Sequence, residues 1–362
     1  MAGNDQLNRA KRSKNDEFYT QLRDIEEELQ HYAHHFKGKV VYCNCDDPRE
    51  SNFFKYFAAN FNALGLKRLI TTSYAGSPIC GTQLSFDDMA GLKDTEPKQS
   101  HCLDIRHVED FNDDGAVDLS DVDYLLRHDA NASTPLEGGG DFRSAECIDL
   151  LKQADIVVTN PPFSLFREYL AQLMEQGKRF LILANPNAVV LKKVFPHIQQ
   201  GRMWLGCVPM GTTLLFDVPP ERAHELCSSG TEGSKYRIVD GVIKARVHCV
   251  WLTNLMHSKR HEDLVLYRRY SPEDYPNYDN YDAIEVSKVA EIPVDYQSKM
   301  GVPISFLSRH NPEQFEIVGS NMDLINSHFT LNGESLYSRL VIRPTVEESP
   351  NHNPKEVYYY HA

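Results

Sequence analysis

The run DIVVTNPPF, residues 155–163, ends a stretch of β-branched residues in Asn160, Pro161, Pro162 and Phe163. Asn160 brings a side-chain carbonyl. The two prolines have no N–H to donate, and their rings stiffen the turn, so a prolyl carbonyl becomes a second fixed acceptor. Phe163 adds a flat stacking surface. Two acceptors beside an aromatic face suit an exocyclic amine on an aromatic base. The acceptors hold the amino hydrogens and direct the nitrogen lone pair toward an electrophile, while the ring stacks on Phe163. A base inside a duplex must first be flipped out to reach such a pocket. Asn-Pro is also a common turn dipeptide, but four specific residues after a buried strand weigh toward function. Similar tetrapeptides serve enzymes that methylate adenine or guanine amines or glutamine amides, so the motif alone leaves the substrate open.

A second constellation lies in DFNDDGAVDLSD, residues 110–121. Asp110, Asn112 and Asp114 occupy positions 1, 3 and 5 of a calcium-loop spacing, with Gly115 at position 6 and Asp121 at position 12. Alternating oxygens around a glycine turn suit a hard cation such as Ca2+, in a structural rather than catalytic role. An acidic surface turn fits the same residues. Position 12 is Asp rather than Glu, and no second loop pairs with it.

Charge is segregated along the 362 residues, whose formal net charge is −13. Residues 87–155 hold 18 Asp or Glu against 6 Lys or Arg, whereas residues 235–269 hold 8 Lys or Arg against 3 Asp or Glu. A basic face for a polyanion is therefore compatible with an acidic chain. Lys259, Arg260, Arg268 and Arg269 are the candidates for phosphate contacts.

The elements that must position these groups follow a strand–helix–strand rhythm. Leu22, Ile25, Leu29 and Tyr32 mark a helix that Gly38 ends. KVVYCNC reads as a strand, DDPRESNFFKYFAANFNALG as a helix and LKRLITTSY as a strand. The acidic segment, about 87–140, interrupts the rhythm. It resumes with SAECIDLLKQA as helix, DIVVTN as strand, SLFREYLAQLMEQGK as helix and RFLILAN as strand, and KARVHCVWLTNL reads as one late strand. This order implies an α/β fold with a parallel sheet and crossover helices. The last hundred residues, rich in Tyr, Pro and Asn, read as a smaller separate unit.

Taken together, the chain resembles the EcoRI-type adenine-specific DNA methyltransferases. The resemblance runs from NDEFYTQLRDIEEEL through GDFRSAECIDLLKQADIVVTNPPFSLFREY to NPEQFEIVG. It implies a Rossmann-like S-adenosylmethionine-dependent fold: a catalytic domain over 1–256 and a DNA target-recognition region over 257–362. By the same resemblance, Phe18, Tyr19 and Thr20 lie over the methionine end of the cofactor. Asn44, Cys45, Asp46 and Asp47 form the loop after the first strand. Asp141 accepts from the cofactor adenine, which Phe142 covers, and Asn160 borders both cofactor and target. The partner is then double-stranded DNA.

Two departures stand out. The first loop, CNCDDPRES, has no glycine, and no acid follows the second strand, where Thr71, Ser73 or one of the early aspartates would have to serve the ribose. The alternatives are an RNA or protein-glutamine methyltransferase with the same tetrapeptide, or a non-catalytic DNA-binding relative. The N-terminus lacks a signal-peptide core, and no run has the apolar length of a membrane span. The protein is expected in the cytoplasm, away from membranes, as a monomer or weak dimer. Its eight scattered cysteines are expected to be reduced.

Overall fold

The computed structural model describes residues 19–45, 51–73, 100–115, 117–128, 133–218 and 220–345. The chain divides into two units, one formed by Met1–Val194 with Arg202–His257 and the other by Phe195–Gly201 with Ser258–Ala362. In the first, the strands are β1 (Tyr19–Thr20), β2 (Val40–Asn44), β3 (Arg68–Thr72), β4 (His101–Ile105), β5 (Ser133–Pro135), β6 (Ile156–Thr159), β7 (Arg179–Ala184), β8 (Trp204–Leu205), β9 (Thr213–Asp217), β10 (Tyr236–Val239), β11 (Val242–His248) and β12 (Val250–Thr253).

The main sheet runs β5-β4-β3-β2-β6-β7-β12-β8. Its centre, β3-β2-β6-β7, is parallel. VVYCN and IVVT are buried at every position, as befits parallel strands covered on both faces. Ser51 caps the helix Asn52–Ala59 by accepting from the N–H groups of Phe53 and Phe54. Ser144 caps Ala145–Gln153 in the same way.

The sheet is mixed rather than wholly parallel. β4 pairs antiparallel with β3, and β5 with β4. The acidic segment thus adds two strands beyond β3, with β5 at the edge, instead of merely interrupting the rhythm. KARVHCVWLTNL is not one strand. It breaks at Cys249, where β11 belongs to the second sheet, β1-β9-β11-β10, and β12 returns to the main sheet beside β7.

Before β2, the helix Leu22–Leu29 buries Ile25 and Leu29, with Tyr32 one turn on, while Leu22 is only partly buried. It also buries Glu28 completely. The Glu28 carboxylate accepts from the N–H groups of Cys207 and Val208 and from the Tyr32 hydroxyl, each at 2.7 Å. Burying a carboxylate is tolerable when it is fully hydrogen-bonded in this way. Gly206 is required beside it, because a Cβ there would stand 2.3 Å from Glu28 Oε1.

The second unit holds β13 (Ile284–Glu285), β14 (Met300–Pro303), β15 (Phe315–Ser320) and β18 (Arg339–Pro344), ordered β13-β14-β18-β15, with a separate hairpin of β16 (Thr330–Leu331) and β17 (Glu334–Ser335). Inside it Arg339 pairs with the buried Glu285 at 2.8 Å, and Tyr278 donates to the same carboxylate.

Candidate active site

The chain passes from β2 to β3 on one side and later places β6 on the other side of β2. The carboxyl ends of β2 and β6 therefore flank the point where the strand order reverses, the place where open α/β sheets bind ligands. Asn44 ends β2, and Asn160 follows β6. Thr159 ties the two ends together, since its hydroxyl donates to the Asn44 carbonyl. Asn160 is half-buried and Pro161 buried. The Pro162 carbonyl accepts from Leu165 N–H at 3.0 Å, a bond that closes the turn after the two prolines. Phe163 is half-buried, opens the 3-10 turn Phe163–Leu165 and packs on the main core.

Asn44 is buried. The hydroxyl of Tyr169, on the helix Phe166–Glu175, donates to its Oδ1. The Tyr169 ring meets Phe142 edge-on, with centroids 5.1 Å apart. One tyrosine thus touches residues of the first loop and of the GDF turn, from the helix that follows the NPPF loop. Sequence reasoning missed both Tyr169 and Thr159, although each lies within ten residues of Asn160.

The glycine-free first loop has a structural answer. Cys45 adopts φ 67, the left-handed conformation in which glycine is usual and other residues are uncommon. Asp46, Asp47 and Phe18 lie outside the described residues, and Tyr19 is described by its backbone alone. Thr20 is buried. Asn52, at the head of the helix after the first loop, donates to the Thr20 carbonyl at 2.8 Å. Thr71 and Ser73, the proposed ribose partners, use their hydroxyls within the sheet. Thr71 donates to the Cys43 carbonyl, and Ser73 accepts from His101 N–H.

The GDF turn is pinned to the end of β3. Gly140 has φ 72, and a Cβ there would lie 1.8 Å from the Ser73 carbonyl oxygen. Arg143 grips Asp141, with Nη2 at 2.7 Å from Oδ2, and also reaches Glu168 at 3.2 Å. The guanidinium holds the Asp141 carboxyl below the usual carboxylate range. Phe142 is buried, with Tyr169 at its ring and the Arg143 guanidinium 5.4 Å from the ring centroid.

The acidic loop closes on itself. Asp121 is 1% exposed and accepts from the N–H groups of Phe111 and Asp118. Asp110 accepts from those of Asp114 and Gly115, and the Asn112 amide bonds Asp114 and Ser120. Among the described residues no group of three or more His, Cys, Asp or Glu is placed to hold a metal.

In the second unit Lys259, Arg268 and Arg269 are exposed, and Arg269 lies 3.6 Å from Asp295. Arg260, expected on a phosphate-holding face, is instead 6% exposed and donates to the His310 carbonyl. Its guanidinium serves the interior of that unit. Among the described residues no helix is long and apolar enough to cross a membrane.

The family model described as adenine-specific methyltransferase EcoRI matches residues 6–359. The chain is 46% identical to the Type II methyltransferase M.EcoRI of Escherichia coli over 344 residues, covering 94% of this chain and 97% of that protein. It is 36% identical to the Type II methyltransferase M.MpnI of Mycoplasma pneumoniae, over 90% of this chain and 88% of that one. The identity to the Type II methyltransferase M.MgeORF184P of Mycoplasma genitalium is 33%, over 97% and 96% of the two chains. No solved structure gives a significant match.

Proposed function

The chain belongs to the EcoRI family of adenine-specific methyltransferases, and from that premise we propose how its residues methylate the exocyclic amine of adenine in duplex DNA. The activity uses S-adenosylmethionine, which supplies an electrophilic methyl group when bound. Three observations support a fit to that cofactor. Among the described residues, the buried Thr20 Oγ1 has no hydrogen-bond partner. Gly140 closes its turn where no side chain fits. Cys45 turns the backbone at the end of β2 as a glycine would. In this reading Thr20, Asn44, Cys45 and the Asp141–Phe142 turn hold the cofactor, and Phe18, Tyr19, Asp46 and Asp47 complete its site.

Asn160 and the Pro161 carbonyl accept from the amino group of the flipped adenine, and Phe163 stacks on its ring. The amine itself would take the methyl group as its bond to the cofactor sulfur breaks, and would release one proton to solvent, so no covalent enzyme intermediate is needed. The chain contributes orientation and polarisation. The observation that carries the reading is the Thr159 bond to Asn44, which holds the cofactor strand and the catalytic loop at one switch point. We read the enzyme as the modification partner of a restriction system, or a phage-borne or solitary equivalent. It acts in the cytoplasm as a monomer or weak dimer, and the second unit supplies target recognition. A structural calcium ion at Asp110, Asn112, Asp114 and Asp121 is supported by spacing; the loop's own hydrogen bonds favour a self-closed turn.

The test is transfer of labelled methyl to duplex DNA, RNA and protein, with the modified base identified by mass. N6-methyladenine in duplex DNA is expected. Asn160→Ala should abolish transfer while cofactor binding, measured by calorimetry, survives. Near-normal turnover in that variant removes the assigned role of Asn160, and label in RNA or protein alone overturns the substrate.

A further inference from the structure

The basic stretch of the sequence begins at Lys235, well before the residues first assigned to phosphates, and the fold gathers its early part on one sheet face. β10 and β11 pair with Arg237 opposite Lys244 and Val239 opposite Val242. β11 and β9 pair with Lys244 opposite Asp217, Arg246 opposite Leu215 and His248 opposite Thr213. Because alternate residues of a strand share a face, Arg237, Lys244, Arg246 and His248 lie on the same side. The other side carries Ala245, Phe216 and Leu214, all buried in the core. The basic side therefore faces away from the core, with Arg237 and His248 exposed and Lys244 and Arg246 half-buried.

We propose that this face of the β1-β9-β11-β10 sheet is a phosphate-contacting surface for duplex DNA, with Arg237 and Arg246 as its contact residues. The inference rests on the reading of DNA as substrate and names where the catalytic unit grips it.

Charge is the first support. Lys244 stands opposite Asp217, and its Nζ lies 2.6 Å from the Gln21 side-chain oxygen. Among the described residues, Arg246 reaches a hydroxyl, Thr213 Oγ1 at 3.4 Å. Among the described residues, no carboxylate forms an ion pair with Arg237 or Arg246. Two cations placed directly opposite each other, as Arg237 and Lys244 are, destabilise a sheet by themselves. A polyanion lying on the face reverses that cost. For a chain of net charge −13, such a local face is how DNA is attracted at all.

Rigidity is the second support. The hairpin turns through Asp240 at φ 50 and Gly241 at φ 78, a two-residue connection whose twist suits the strands. The arm is thus stiff. Near its tip Val242, on the basic side, is about half exposed, as expected of an apolar group that meets sugars or a groove wall. Position is the third support. β1, at the opposite edge of this sheet, ends in Thr20, which Asn52 bonds at the head of the helix after the first loop. The basic face and the cofactor loop therefore belong to one sheet-and-helix assembly within the first unit.

The experiment measures duplex affinity of the full chain by fluorescence anisotropy between about 50 and 200 mM salt, on two unrelated duplexes. Each neutralised phosphate contributes a slope of about −0.9 in log affinity against log salt. The double variant Arg237→Gln/Arg246→Gln should flatten the slope by about 1.8, and weaken both duplexes alike, since phosphate contacts carry no base information. Cofactor affinity and melting temperature should stay unchanged. The charge-conserving pair Arg237→Lys/Arg246→Lys should keep the wild-type slope. Lys37→Gln, an exposed residue at the opposite end of β2 from the site, should leave the slope unaltered. A steep wild-type slope that the Gln pair does not change overturns this face and leaves the DNA reading standing. A flat wild-type slope overturns both.

Discussion

The hydroxyl of Tyr169 donates to Oδ1 of Asn44, 125 residues earlier in the chain. It fixes the side-chain amide at the end of β2 from the helix that the NPPF loop leads into.

Tyr169→Phe should therefore separate fold from function. The ring remains packed against Phe142, while Asn44 Oδ1 loses its buried donor, a penalty of about 1–3 kcal/mol. Cofactor affinity is expected to fall roughly tenfold by that penalty, with the loss seen in KM for the cofactor more than in kcat. Calorimetry and initial rates check it. Full cofactor affinity in the variant would mean that the hydroxyl serves packing alone.

Cys45 is the position where a glycine should do better. At φ 67 a β-branched residue is strongly disfavoured, and left-handed backbone costs non-glycine residues about 1–2 kcal/mol. Cys45→Gly should hold or raise the melting temperature and retain cofactor binding, whereas Cys45→Val should lower both. Thermal melts of the two variants side by side decide the matter, and equal behaviour would contradict the backbone argument.

The acidic loop makes a prediction about calcium. Asp121 holds two backbone N–H groups while 1% exposed, so Asp121→Ala should destabilise the chain by about 1.5–3 kcal/mol. The same loss is expected in a chelator and in excess calcium. If calcium instead raises the wild-type melting temperature by several degrees and leaves the variant untouched, the loop is a cation site.

His310 gives the second unit a pH dependence. Its Nε2 meets the Phe315 carbonyl at 2.8 Å, and Arg260 Nη1 stands 3.2 Å from Nδ1, an arrangement for the neutral ring. Burial, helped by the Arg260 charge, pushes its pKa down to about 4. Unfolded, the ring titrates near 6.5, so the unfolded chain binds the extra proton between those values and stability rises with pH across that window. The contribution is complete above about 6.5 and is lost as pH falls toward 4. Denaturant midpoints at pH 7 and 4.5 should drop further for the wild type than for His310→Gln. Parallel curves would rule this group out.

The NPPF loop and its place after a buried strand were legible because both are local. Four residue types in a row define the acceptors, and an unbroken apolar run defines a strand covered on both faces. The helix before β2 declared itself in the same way, by the three- and four-residue spacing of Ile25, Leu29 and Tyr32. Cys45 could not be read so. No spacing tells that a non-glycine residue will turn left-handed, and the missing glycine looked like a defect. Glu28 and Arg260 look like solvated charges in sequence, yet both are buried. What settles them are the Cys207 and Val208 amides for one and the His310 carbonyl for the other, 50 to 180 residues away. Strand partners are also long-range. The acidic segment gave no sign that it would pair antiparallel with β3, nor did KARVHCVWLTNL show that it would part between two sheets. Local chemistry chooses the groups that react and the elements that carry them. Burial and pairing, which depend on segments the chain brings back from far away, decide which charges face solvent and which are locked inside.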